Sequence, residues 1–269
     1  MKKKRLIPVV LLKNGWLVQS FQFARHLNLG NPFWTVKRLS EWASDELIYL
    51  DISSDDSYDL RREDLGAPNR RTFMEIIADV AKVTFMPIAV GGKIRTLEDI
   101  QQRLALGADK ISINTIAFDD PGFISRAATQ YGSQCIVVSI DYRNVGDESR
   151  VMVQGGRRDT GLSPAEWAKM VESRGAGEIL LNSIDRDGMK TGYDIEVIQQ
   201  VCAAVKIPVI ALGGVGQWEH FEDALRETEV DAVAAANIFQ HTDQSVYYAK
   251  QHLFEAQYNV REPMIIPIE

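Results

Sequence analysis

The chain has 269 residues, 45% hydrophobic and 25% charged, a composition that excludes a disordered or fibrous protein. Its formal net charge of −7 argues against nucleic acid or an anionic membrane as the main partner. A local phosphate site stays open, because it needs only a few N–H groups and one or two cations.

The start, Met1-Lys-Lys-Lys-Arg5 and an apolar run to Leu12, superficially resembles an export signal. The run is short for that purpose, Lys13-Asn14-Gly15 ends it, and no small-x-small pattern follows. It reads as a first strand, 5–11. Further strands are expected at 46–52, 87–90, 110–113, 135–141, 178–182, 209–212 and 232–236. Most are continuous apolar runs, as in a parallel sheet covered by helices. Helical patterns lie between them at 34–43, 71–83, 97–106, 121–131, 163–174, 195–205 and 218–227, the fifth opened by Ser163-Pro164 as cap and first helical residue. Eight strands with intervening helices predict one (β/α)8 barrel over residues 1–269. No run reaches the ~20 apolar residues of a membrane helix. Cys135 and Cys202 sit in apolar runs and read as reduced core thiols, which places the chain in the cytoplasm.

An internal repeat sharpens the prediction. Met86-Pro87-Ile-Ala-Val-Gly91-Gly92 matches Ile207-Pro208-Val-Ile-Ala-Leu-Gly213-Gly214, and an aspartate follows 17 residues later in each half, Asp109 and Asp231. Asp45–Asp51 likewise resembles 177–182. Two half-barrels of four strands account for all three matches. Leu11 and Asp141 then fall on equivalent positions, so a site built for two facing carboxylates holds one. Two stretches break the pattern. Residues 53–71 are polar and follow strand two, on the face where a barrel carries its chemistry; they read as a solvated loop or a lid over substrate. Residues 144–159 are expected to form a small hairpin around Arg150–Gln154.

The glycine pairs Gly91-Gly92 and Gly213-Gly214 end strands three and seven, and each precedes a helix. Small residues there let a phosphate approach backbone N–H groups, although a lone Gly-Gly pair is as often tight packing. Asn114 and Thr115 after strand four, and Ala236 and Asn237 after strand eight, complete two phosphate corners. Asp185–Gly192 is a glycine-hinged loop suited to closing over an anion, with Asp187 and Gly188 as candidate phosphate contacts. Asp141 ends strand five as a candidate general acid or base, and Asp51 ends strand two in a supporting place. At the opposite end Arg5, Glu46, Lys110 and Glu178 each start a strand. Two cations and two anions converging on the axis would form a neutral ring that admits a small neutral molecule. Four scattered histidines, His26, His220, His241 and His252, give no metal-ligand spacing, and neither a metal nor a cofactor is expected.

Several blocks resemble the cyclase subunit of imidazole glycerol phosphate synthase over nearly the whole chain: Lys13-Asn14-Gly15, Asp45–Asp51, Gly107-Ala-Asp-Lys-Ile-Ser-Ile-Asn-Thr115, Gly132-Ser-Gln134, Arg174-Gly-Ala-Gly-Glu-Ile-Leu-Leu181 and Ser183-Ile-Asp-Arg-Asp-Gly188. The resemblance implies a barrel that docks a glutamine amidotransferase on its N-terminal face. Ammonia passes through the core and reacts at the top with a ribulosyl bis-phosphate nucleotide. The family's ammonia gate falls on Arg5, Glu46, Lys110 and Glu178, and all four residue types are present. Its two catalytic aspartates fall on Leu11 and Asp141, its strand-one loop lysine on Gln19, and the third glycine of its first phosphate corner on Lys93. An insertion within 55–70 has no counterpart in typical members. The parts that receive ammonia are kept and those that handle the histidine-pathway substrate are altered. This profile resembles cyclase-like barrels of bacterial surface-polysaccharide clusters, which feed ammonia to a third, amidating enzyme that makes acetamidino sugars. The alternatives are a working histidine-pathway cyclase and a sugar-phosphate isomerase like that of the same pathway.

Overall fold

A computed structural model describes residues 2–58, 70–241 and 243–265. The first strand, β1 (Arg5–Lys13), turns into the hairpin β2 (Trp16–Phe21) and β3 (Arg25–Gly30) before α1 (Pro32–Glu41) and β4 (Leu47–Asp51). Then come α2 (Phe73–Val83), β5 (Ile88–Gly91), α3 (Leu97–Ala105), β6 (Lys110–Ile113), and α4 (Thr115–Asp119) with α5 (Gly122–Tyr131). The second half opens with β7 (Ile136–Val145), which pairs antiparallel with β8 (Glu148–Val153) and through it with β9 (Arg158–Asp159). It continues through α6 (Pro164–Ser173), β10 (Glu178–Ser183), α7 (Ile195–Ala204), β11 (Val209–Leu212), α8 (Glu219–Glu227), β12 (Ala232–Ala235) and α9 (Ser245–Glu255). Eight of these strands pair in parallel in the cycle β1, β4, β5, β6, β7, β10, β11, β12 and back to β1. The sheet is therefore the closed (β/α)8 barrel that the repeat predicts.

Alternation along each strand divides the core in two. Ile7, Val9, Leu11, Ile48, Ala89, Val137, Leu180, Ile210, Ala232 and Ala234 fill the interior. Their neighbours Leu6, Val10, Leu47, Tyr49, Val90, Ile179 and Val209 face outward beneath the helices. Helix starts follow local chemistry: Thr72, Thr96 and Ser163 each close a capping box with an acid three residues on.

The aspartates of the repeat do equivalent work. Asp109 exchanges two hydrogen bonds with Ile88: its N–H donates to the Ile88 carbonyl (2.9 Å) and its carboxylate accepts the Ile88 N–H (2.8 Å). Asp231 does the same with Val209, at 3.0 and 3.1 Å. Each sits just before a strand and caps its neighbour, so the shared spacing is a sheet-edge device built twice. Asp45 accepts the Leu6 N–H in the same manner (2.9 Å) and also takes the buried ammonium of Lys250 on α9. The last helix is thereby tied to the barrel floor beside Glu46.

Several boundaries differ from the sequence expectation. The segment after strand one is a hairpin. The helix expected at 34–43 begins at Pro32, capped by Asn31. Strand five runs on to Val145 and forms the expected hairpin with Glu148–Val153. Cys135 and Cys202 are free thiols that pack on the outer cluster, half-buried rather than deep in the core, and burial pushes the Cys202 thiol up to about 11. Residues 59–69, most of the expected insertion, lie outside the described residues. No helix among the described residues is long and apolar enough to cross a membrane.

Candidate active site and charge ring

The four charged strand starts meet. Arg5 donates to Glu46 (2.6 Å) and to Glu178, while Lys110 donates to both Glu46 oxygens (2.9 and 3.0 Å) and to Glu178 (2.7 Å). Each cation holds both anions, and the quartet closes on itself across four strands. Both carboxylates are nearly sealed from solvent, with side-chain exposures of 3% and 6%. Burial alone would lower the Arg5 pKa, but Glu178 and then Glu46 outweigh it and hold the guanidinium above its ordinary value. The inner cluster of aliphatic side chains and alanines stands on this floor.

At the other end the two half-barrel equivalents part company. Leu11 lies on the inner face of β1 among Val18, Leu50 and Leu212. Asp141 lies on the inner face of β7, which sits diametrically opposite in the eight-strand cycle. Its carboxylate accepts from Asn114 Nδ2 (3.1 Å), Ser139 Oγ (3.3 Å) and Asn182 Nδ2 (3.3 Å). Burial pushes it up to about 6; the Asn182 and Ser139 hydrogen bonds restrain that rise and the charge of Asp187 adds to it. A carboxyl poised near 6 exchanges protons readily at neutral pH. Sequence reading found Asp141 and Asn114 but missed Ser139 and Asn182. Both lie on the inward-facing phase of their strands, and that alternation was the available signal.

The remaining candidates divide between mouth and scaffold. The glycine pairs have a packing reason for their identity. A Cβ on Gly92 would stand 2.1 Å from the Asp51 carbonyl oxygen, and one on Gly214 would stand 2.0 Å from that of Gly192. Gly91 and Gly213 are similarly close to Leu50 and Ser112 and to Ser183. Thr115 Oγ1 accepts the Gln154 N–H from the β8–β9 turn (3.0 Å), so that hairpin leans over the first corner. Asp51 faces outward and gathers Ser53, Tyr58 (3.0 Å) and Lys93 (3.3 Å) behind Gly92. Lys93, which falls where the resembling family has glycine, adopts a left-handed backbone (φ 56°).

Asp187 is a second buried carboxylate at the mouth. Burial raises its pKa, partly offset by the neighbouring Ser20 hydroxyl and the Phe23 N–H. Its backbone carbonyl accepts from Gln22 (3.0 Å), and Asn237 Nδ2 donates to the Ser20 carbonyl (2.9 Å). Gly188 packs its Cα where a Cβ would meet that same carbonyl at 2.4 Å. Asp187, Gly188 and Asn237 thus fasten the β2–β3 hairpin across the mouth, and Ala236 lies on the inner rim beside them. Gln19 alternates with Val18 and Ser20 and so sits on the hairpin's other face. Among the described residues no group of three or more His, Cys, Asp or Glu side chains is placed to hold a metal ion.

With this geometry in hand, comparison with known proteins is specific. The family described as Histidine biosynthesis protein matches residues 5–245. The chain is 43% identical over 262 residues to imidazole glycerol phosphate synthase subunit HisF of Hydrogenobaculum sp. (strain Y04AAS1), covering 97% of this chain and all of that one. It is 42% identical over 261 residues to the putative subunit hisF2 of Vibrio vulnificus (strain YJ016), covering 97% and 92%. To the HisF subunit of Metallosphaera sedula it is 40% identical, covering 97% and 100%.

Proposed function

Because the chain belongs to the histidine biosynthesis protein family and is similar to HisF subunits throughout, we propose that it is the barrel of a glutamine-dependent ammonia-transfer complex. In this reading a glutaminase docks on the N-terminal face and ammonia enters at Arg5, Glu46, Lys110 and Glu178. It travels along the aliphatic interior and emerges beside Asp141. The observation that carries the reading is the closed ring beneath an interior packed with aliphatic side chains and alanines. An ammonium ion would have to shed its hydration to enter that apolar interior, whereas neutral ammonia pays little to do so. The acceptor carries phosphate, held at the glycine corners Gly91-Gly92 and Gly213-Gly214 with Asn114, Thr115, Gly188, Ala236 and Asn237. Asp187 contributes by holding the hairpin rather than by touching the anion, since a carboxylate repels it.

Leu11 directs the choice of pathway. A leucine transfers no proton, and losing one member of an acid–base pair typically lowers a rate by ~10²–10⁴-fold. We place the chain in surface-polysaccharide biosynthesis, where the ammonia serves an amidating enzyme that makes acetamidino sugars. One observation favours a second reading, a histidine-pathway cyclase: Asp187 is a buried acid whose charge reaches Asp141, so the mouth still holds two coupled carboxylates. The test is growth of a histidine auxotroph that lacks its own cyclase. Failure of this chain to rescue it, with both proteins expressed and soluble, is expected. Rescue would overturn the polysaccharide assignment in favour of the second reading.

A further inference from the structure

The hairpin brings two polar groups onto the mouth face that no part of the ammonia reading uses. Along β1 the inward phase runs Ile7, Val9, Leu11 and then Lys13. The register pairs Leu11 with Val18 and Lys13 with Trp16, and both partners belong with the inner cluster. On the same phase Ser20 follows Val18, and Ser20 stands directly opposite His26 on β3. Lys13, Ser20 and His26 therefore share the face that Leu11 occupies. Lys13 Nζ lies 3.2 Å from His26 Nδ1.

An ammonium has no lone pair, so Lys13 donates and Nδ1 accepts. The imidazole then carries its own proton on Nε2 and remains a donor there. Burial, and then the charge of Lys13, hold His26 below the ordinary imidazole value, which keeps the ring neutral. The Ser20 hydroxyl is sealed from solvent and turned towards the Asp187 carboxylate, so it is not open to a ligand. Among the described residues no carboxylate lies within ion-pair distance of Lys13, although it is half-buried. A partly desolvated cation with no anion among the described residues, beside a further donor, is an incomplete arrangement. Two acids of the loop after β10 are engaged elsewhere: Asp185 accepts the Asn144 N–H (2.7 Å), and Asp187 accepts that of Phe23 (3.4 Å) and faces the Ser20 hydroxyl.

We propose that Lys13 and His26 form a third anion site at the mouth, which takes an anionic oxygen group of the acceptor, phosphoryl or carboxylate. Lys13 supplies the charge and His26 Nε2 a directed donor, and Leu11 on the same face brings no negative charge to repel such a ligand. The site lies apart from both glycine corners, so it selects among phosphorylated acceptors by a group those corners do not read. It rests on the C-terminal face being the ligand face and not on ammonia transfer, so failure of either leaves the other testable.

The experiment follows the His26 side-chain nitrogens by NMR in the full-length, isotope-labelled chain. The resonances are assigned with His26→Gln, and inorganic phosphate and acetate are added in separate titrations at constant ionic strength. The expected result is a saturable shift of the His26 signals with at least one anion, and the stronger of the two names the group. Lys13→Met should weaken that response at least about tenfold, and Lys13→Arg should restore most of it. A spectrum that otherwise overlays the unsubstituted chain shows that each variant is folded. Signals that do not move with either anion, or a shift that survives Lys13→Met, would overturn the site.

Discussion

Asp141 shows how a single buried carboxyl records its surroundings. Its pKa rises from 3.8 to about 6 on folding, so the native state binds that proton more tightly than the unfolded chain does. The stability this group confers is complete below the unfolded value and is lost as pH rises through about 6. Asp141→Asn never ionises, so its stability relative to the unsubstituted protein should improve between pH 4 and pH 7.5, by up to ~3 kcal/mol. The acceptor lost to Ser139, Asn114 and Asn182 is a constant offset at both pH values. Urea unfolding of both proteins at the two pH values measures the difference, and a pH-independent gap would refute the raised pKa. At this scale the sequence was legible where charge had one place to go. Arg5, Glu46, Lys110 and Glu178 stand at strand starts on the inward phase, where geometry leaves them little but each other. Lys13 and His26 were not legible as a pair, because their meeting depends on a hairpin that sequence reading took for loop.

That hairpin was hidden for a backbone reason. Its turn places Gln22 and Phe23 at positive φ (51° and 59°), with the Ala24 N–H donating to the Phe21 carbonyl. Tight hairpin turns of this kind usually declare themselves with Asn-Gly or Gly-Gly. Here ordinary side chains occupy those angles, held by the contacts of Gln22 and Phe23 to the loop after β10. The barrel strands were legible because each is buried on both faces and reads as an unbroken apolar run. The glycine pairs were found for one reason and explained by another: they end strands that their neighbours approach at backbone distance. Gly92→Ala must place a Cβ against the Asp51 carbonyl at a φ of 101°, so neither the contact nor the angle can be relieved locally. It should destabilise the chain by about 3 kcal/mol or more, a fall in Tm of roughly 6–12 °C for a protein of this size. Thermal unfolding followed by circular dichroism is the check. An unchanged Tm would return the glycine to a purely ligand-driven role.

For the whole molecule, the two ends of the barrel answer to different constraints. The floor holds a complete set of four charges on strands from both halves, while the mouth sets a leucine at position 11 against a carboxylate at 141. Coupling between the ends is therefore the property to measure. Glu46 joins both cations of the ring, and Glu46→Ala leaves Arg5 and Lys110 with Glu178 alone. In the proposed complex with a glutaminase, this variant should leave glutamine hydrolysis in place while amidated product per glutamine falls several-fold. An unchanged ratio would show that the ring does not govern passage. The two-fold repeat made this architecture readable from the chain before any pairing was known, whereas the asymmetry that gives it a purpose required the side chains in place.

The seam that completes the cylinder joins Arg5 on the first strand to Ala232 on the last. During synthesis, β1 leaves the ribosome long before its neighbour on that side exists. At ~5–20 residues per second, roughly 10–50 s pass before the partner strand is made. Through that interval the nascent chain carries an apolar strand with one unsatisfied edge, a template for wrong pairing with other chains. The hairpin that follows β1 pairs at its far end, Leu11 to Lys13, and leaves the stretch from Arg5 to Pro8 open for β12. Closure of the barrel is thus an event in time, and the chain's yield in a cell depends on what shields that edge until translation ends.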